Sequence, residues 1–164
     1  MNFNSLKEYF YKLGNRCYLL VLLPLAVFIY LFRQLMTRQI GPIIQDEPLV
    51  DIIILTLCVF SLANLTTVHW IAKRRLKKYG AEVGLGHKLD RYQEIVMFRI
   101  GAISASSLVM AAGLLLTGSE LFGILFMGIL LWALFQWPTS RKACRDLHLK
   151  GDEYEMVLHK KDKF

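Results

Sequence analysis

Four stretches of this 164-residue chain, 17–36, 49–71, 95–117 and 121–137, are apolar and carry no charge through their middles. A helix rises about 1.5 Å per residue, so roughly 20 such residues match the ~30 Å hydrocarbon core of a bilayer. Lipid offers no hydrogen bonds to a bare backbone, which restricts each run to a helix whose N–H and C=O groups satisfy one another. The expectation is an all-α, polytopic membrane protein: four transmembrane helices in an antiparallel bundle, with short amphipathic N-terminal and cytoplasmic helices. Residues 1–164 then form a single membrane domain, with 1–16 an interfacial helix and 138–164 a cytoplasmic tail.

Composition agrees with this reading, since 55% of residues are hydrophobic, against roughly 45–50% apolar usage in soluble domains. The formal charge of +7 invites a nucleic-acid reading, but the distribution of the basic residues points to a membrane instead. Lys7, Lys12 and Arg16 precede the first run. Only Arg33 and Arg38 lie between the first and second, eight fall between the second and third, none between the third and fourth, and seven follow Trp137. That alternation places both termini in the cytoplasm and suits a bacterial inner membrane, with anionic headgroups as partner and no nucleic acid.

Ahead of the first span, Phe3, Leu6, Tyr9, Phe10 and Leu13 recur at helical spacing, and Ser5-Leu6-Lys7-Glu8 has capping-box form. Pro24 is expected to kink the span itself. The second span carries Cys58, Ser61, Asn64, Thr66, Thr67 and His69. Such side chains either bond a neighbouring helix or their own backbone, or line a polar intramembrane face, for which Cys58, Ser61, Asn64 and Thr67 are the candidates. The third is rich in small residues, with Gly101/Ala105 and Ala102/Ser106 at small-x-x-x-small spacing, and reads as the central packing helix. Gly123 and Gly128 extend this helix-packing set to the fourth span, which Thr117-Gly118-Ser119-Glu120 joins to the third as a tight hairpin. Trp132 and Trp137 mark its inner half.

Outside the spans, Lys73, Arg74, Arg75, Lys77 and Lys78 are the candidate contacts to anionic lipid. Gly80, Gly84 and Gly86 are expected to loosen the chain after them. His87, Asp90, Arg91 and Glu94 share helical spacing and form an acid, base and imidazole cluster, which solvated ion pairing also explains. The loop 34–48 holds apolar residues around Gly41-Pro42, and either covers the bundle or lies at the interface. Pro138-Thr139-Ser140 reads as a helix start, 141–149 as a short helix and Gly151 as its stop. Asp152, Glu153 and Glu155 are expected to pair with the basic 73–78 segment and fold the tail back.

Cys17, Cys58 and Cys144 sit on three different segments with no C-x-x-C spacing, so neither a disulfide framework nor thiol exchange is expected. Cys144 and His148 are half of a metal site without the other half, and Cys144 between Lys142 and Arg145 is expected to be an inert, exposed thiol. Neither metal nor cofactor is expected.

A proton- or sodium-coupled carrier needs an ionisable group near mid-bilayer, and the span centres have none. Phosphate-loop, zinc-protease and nucleophile-elbow patterns are also missing. What fits best is a non-catalytic subunit or scaffold of a membrane assembly, partnered by another membrane protein or by itself. A transporter of small or lipophilic solutes and an inner-leaflet lipid-modifying enzyme using the 87–94 cluster are the alternatives.

Overall fold

A computed structural model describes residues 5–44, 46–80 and 84–159. Its order is α1 (Leu6–Met36), α2 (Glu47–Tyr79), α3 (Leu85–Thr117), α4 (Leu121–Phe135), α5 (Ser140–Asp146) and α6 (Asp152–His159), with no strand among the described residues. Helices α1, α2 and α3 are each long and apolar enough to cross a membrane, and α4 with α5 adds a fourth crossing if the two are one broken span.

The helices overrun the apolar stretches, and several local expectations change accordingly. The N-terminal amphipathic segment is no separate helix, because α1 runs unbroken from Leu6 through Pro24 to Met36. Gly14 costs the helix only about 1 kcal/mol of propensity, while Tyr9, Leu13 and Cys17 bury one stripe at i, i+4 and i+8. The Ser5 cap is formed, its Oγ accepting from the Glu8 N–H at 3.1 Å. Pro48 falls in the first turn of α2, where a missing N–H costs nothing. The basic 73–78 segment is the C-terminal end of α2 and not a loop, which sets Lys77 and Lys78 at the negative end of the helix dipole.

Two compact units result, one from residues 1–19, 68–99 and 137–164, the other from 20–67 and 100–136. In the first, Tyr9, Leu13, Cys17, Ala72, Tyr92, Val96, Ala143, Leu147 and Val157 form a dry core, each no more than 1% exposed. The tail is part of that core, but by other contacts than its acids suggested. Glu153 pairs with Lys88 at 2.7 Å, and Leu147 packs against Gly80, where a Cβ would stand 2.8 Å from the Leu147 carbonyl oxygen. Gly80 is therefore a close-contact position, not a loosening one. Gly151 does not stop α5 but precedes α6, at φ +58. Helix α5 starts at its Thr139 cap, whose Oγ1 accepts from the Lys142 N–H at 3.2 Å. It ends with His148 in the left-handed region at φ 50, the His148 and Leu149 N–H groups donating to the carbonyls of Arg145 and Cys144. This is the Schellman pattern, with histidine where glycine is usual.

In the second unit α3 is the spine: 56% of its most apolar stretch is buried, against 6% in α2 and 11% in α1. Phe28 of α1 stacks on Phe126 of α4 at 4.0 Å between ring centroids. Gly113 admits the Phe122 ring so closely that a Cβ would come within 2.4 Å of it, which lets α4 fold back against α3. The Thr117 hydroxyl donates to the Gly113 carbonyl and accepts from the Ser119 N–H, tying the hairpin turn. The loop after α1 leans on the same turn: the Ile44 N–H donates to the Leu116 carbonyl at 2.9 Å, and Pro42 packs on Gly118.

Candidate functional site

The first unit contains a buried polar cluster centred on Arg99. The Arg99 guanidinium lies 3.8 Å from the Asp146 carboxylate, with only 6% and 16% of the two side chains exposed. The Tyr92 hydroxyl is fully buried nearby and has no hydrogen-bond partner among the described residues, whereas the Tyr9 hydroxyl donates to the Leu89 carbonyl at 2.7 Å. Burial, followed by the Asp146 charge, pushes the Tyr92 pKa up, and burial does the same to Tyr9. Lys142 stands in the same field. Burial and then the Arg99 charge lower its pKa to about 8. His69 also interacts electrostatically with Arg99, Lys142 and Asp146.

Such a cluster fastens α5 to α3 by charge. Removing either member of a buried pair leaves the other uncompensated, which makes the contact a strong positional constraint even where its net stabilisation is small. Arg99 stands at the end of an apolar run, where a charge calls for a partner. Asp146 lies 47 positions further on with no periodicity to connect them, so no local pattern pairs the two.

The residues singled out in the sequence are distributed differently. Arg91 and Glu94 form an exposed ion pair at 3.0 Å, with the Arg91 guanidinium 5.5 Å from the Tyr79 ring, and His87 is exposed on the same helix with Asp90 half-buried. Lys73, Arg74, Arg75, Lys77 and Lys78 are all exposed, with Arg74 over the Trp70 ring at 3.4 Å. Cys144, expected at the surface, is 2% exposed, and burial raises its pKa. The basic neighbours Lys142 and Arg145 share its helix, yet desolvation decides. Among the described residues, no three His, Cys, Asp or Glu side chains group to hold a metal ion.

The polar residues of α2 separate into three roles. Asn64 ties α2 to α3, its amide donating to the Ala102 carbonyl at 3.3 Å and the Ser106 hydroxyl at 3.0 Å. Thr67 is exposed on the outside of the unit. Cys58 and Ser61 line a recess of about 300 Å³ shared with Met110 of α3 and Ile124, Gly128 and Trp132 of α4. Of the small residues, Ser106 is buried against α2, but Gly101, Gly123 and Gly128 have open space where a Cβ would stand, and Ala105 is exposed.

Fold and site together define an all-helical chain with three to four helices able to cross a membrane and a polar latch in one of its two units. Comparison with known proteins finds no family model, no curated protein and no solved structure that matches it.

Proposed function

We propose that this is a four-span protein of the bacterial cytoplasmic membrane, an antiparallel bundle within one membrane domain, with both termini cytoplasmic, acting as a non-catalytic subunit or scaffold of a membrane assembly. One observation carries the reading. Gly101, Ala105 and Ala112 follow one another along an outward stripe of α3, broken only by Leu108, and a Cβ at Gly101 would meet nothing within 4 Å. Small residues let helix backbones approach in lipid, where no hydrophobic drive operates between helices. The stripe is therefore a seat for another helix, from a second copy or from a larger partner. The basic end of α2, with Trp70 beside it, suits anionic headgroups on the same side as the termini.

Gly101→Leu and Ala105→Leu should leave the chain folded, since both positions have room, while abolishing co-purification of its partner and cross-linking in native membranes. A chain that runs only as a monomer and cross-links to nothing would end the proposal. The recess beside Cys58 and Ser61 favours transport of a small or lipophilic solute as a second reading. Vesicles carrying the protein would then show flux that Gly128→Leu, filling the recess, reduces.

A further inference from the structure

The recess in the second unit has a property that the assembly reading does not use. At about 300 Å³ it stands at the lower end of the range for small-molecule sites. Its walls are aliphatic or thioether apart from Cys58, Ser61 and the Trp132 ring. Leu62 and Ile124 are exposed at its rim, 65% and 70% respectively, so the opening is flanked by apolar side chains.

Ser61 is 4% exposed and its hydroxyl has no hydrogen-bond partner among the described residues. Helical Ser and Thr hydroxyls normally return to the carbonyl four residues back, as Thr66 does to Leu62 at 2.7 Å and Thr117 to Gly113 at 2.9 Å. A buried hydroxyl left without either donor or acceptor is unfavourable, and a void lined by carbon forfeits dispersion contacts. One kind of molecule relieves both defects. It has a compact apolar body and a single hydrogen-bonding head.

We infer that this recess is a binding site for a small lipophilic alcohol or carbonyl compound, entered from the lipid side, with the Ser61 side chain turning about χ1 to bring its covered hydroxyl to the polar head, and the side chains of Met110, Ile124 and Trp132 around the body. The inference is independent of the assembly reading, because it concerns the faces of α2 and α4 that meet α3 and not the outward stripe of α3.

The test is photolabelling of the full chain in vesicles with a diazirine-bearing octanol, set against the matching diazirine-bearing octane. Saturable adducts are expected on the segments 58–65 and 124–132, competed by unlabelled octanol. The alcohol should be favoured over the alkane by roughly fivefold, the ratio set by one neutral hydrogen bond. Ser61→Ala should bring that ratio close to one. Gly128→Leu should remove the adducts, and Ile124→Phe serves as a second filling variant if the first does not fold. Equal labelling by alcohol and alkane would mean that bilayer acyl chains fill the recess, and would overturn the site. So would adducts spread over the outer faces of α1 and α2 and indifferent to both filling variants.

Discussion

Both units bury large apolar side chains, but they leave opposite things outside. In the first, large side chains such as Tyr9, Tyr92, Leu13 and Leu147 are inside, and basic residues from Lys73 to Lys78 are outside. In the second, Ser61, Ser104, Ser106, Ser107 and Thr117 are buried, while Leu22, Leu23, Ile52, Leu55, Ile124 and Leu131 are at least half exposed. Water makes apolar area worth burying at about 25 cal/mol per Å², and lipid does not. What holds the second unit is close contact at Gly113, ring stacking of Phe28 on Phe126, and the Asn64 amide bonded to α3. With the second unit in lipid, as proposed above, one chain displays two packing rules, and the rule changes along α1, α2 and α3 without a break in any of them.

The sharpest way to break that contrast is to remove a charge from the first unit. Asp146→Ala should cost about 3–5 kcal/mol, read as a fall in thermal stability in detergent, because it takes a carboxylate away from a buried guanidinium. An Arg99→Met, Asp146→Leu double variant should recover most of the loss. A cost below about 1 kcal/mol for Asp146→Ala would place the pair in solvent and erase the distinction.

Next in size is the glycine contrast. Gly80→Ala, forcing a Cβ toward the Leu147 carbonyl, should cost about 1–3 kcal/mol and speed proteolysis of the segment after α5. Gly128→Ala, with nothing near its Cβ, should be neutral or stabilising by up to about 1 kcal/mol. If the two behaved alike, the close contact would not exist.

The pH dependence should also belong to the first unit alone. Lys142 falls to about 8 in the folded chain from 10.5, so above pH 8 the unfolded state binds the additional proton. Stability should therefore rise with pH just above 8 and level off near 9, where the thiol of Cys144, which burial keeps protonated in the folded chain, begins to ionise in the unfolded one. Replacing Lys142 by Met should flatten that rise. The smallest effect is expected at His148, whose left-handed backbone favours glycine: His148→Gly should stabilise by about 1 kcal/mol, seen as a slightly higher melting temperature.

Much of the second unit was readable along the chain. Gly118 with its neighbours marks the hairpin, and of the small residues in 101–113 Gly113 is the one in close contact with α4, while Gly101 and Ala105 face outward. Thr139 at the head of α5 was equally plain, since a cap acts within one turn. The misreadings cluster in the first unit. Gly80 reads along the chain as a flexible joint, because a glycine placed for close approach looks the same as one placed for freedom. Cys144 stands in a charged stretch that reads as surface, while its burial depends on the tail packing into the core. The 87–94 cluster has helical spacing and lies largely at the surface, whereas the buried ion pair is Arg99 with Asp146.

Local periodicity and solvent preference, which are properties of contiguous residues, by themselves determined that this protein is helical, where its apolar stretches begin and end, and which helix is the spine. Only the tertiary structure decided which carboxylate answers Arg99, that Asn64 binds α3 while the Ser61 hydroxyl finds no partner among the described residues, and that the recess at Ser61 exists. Those outcomes depend on side chains from helices separated by tens of residues arriving within a few ångströms of one another, and spacing along a chain does not encode a distance across it.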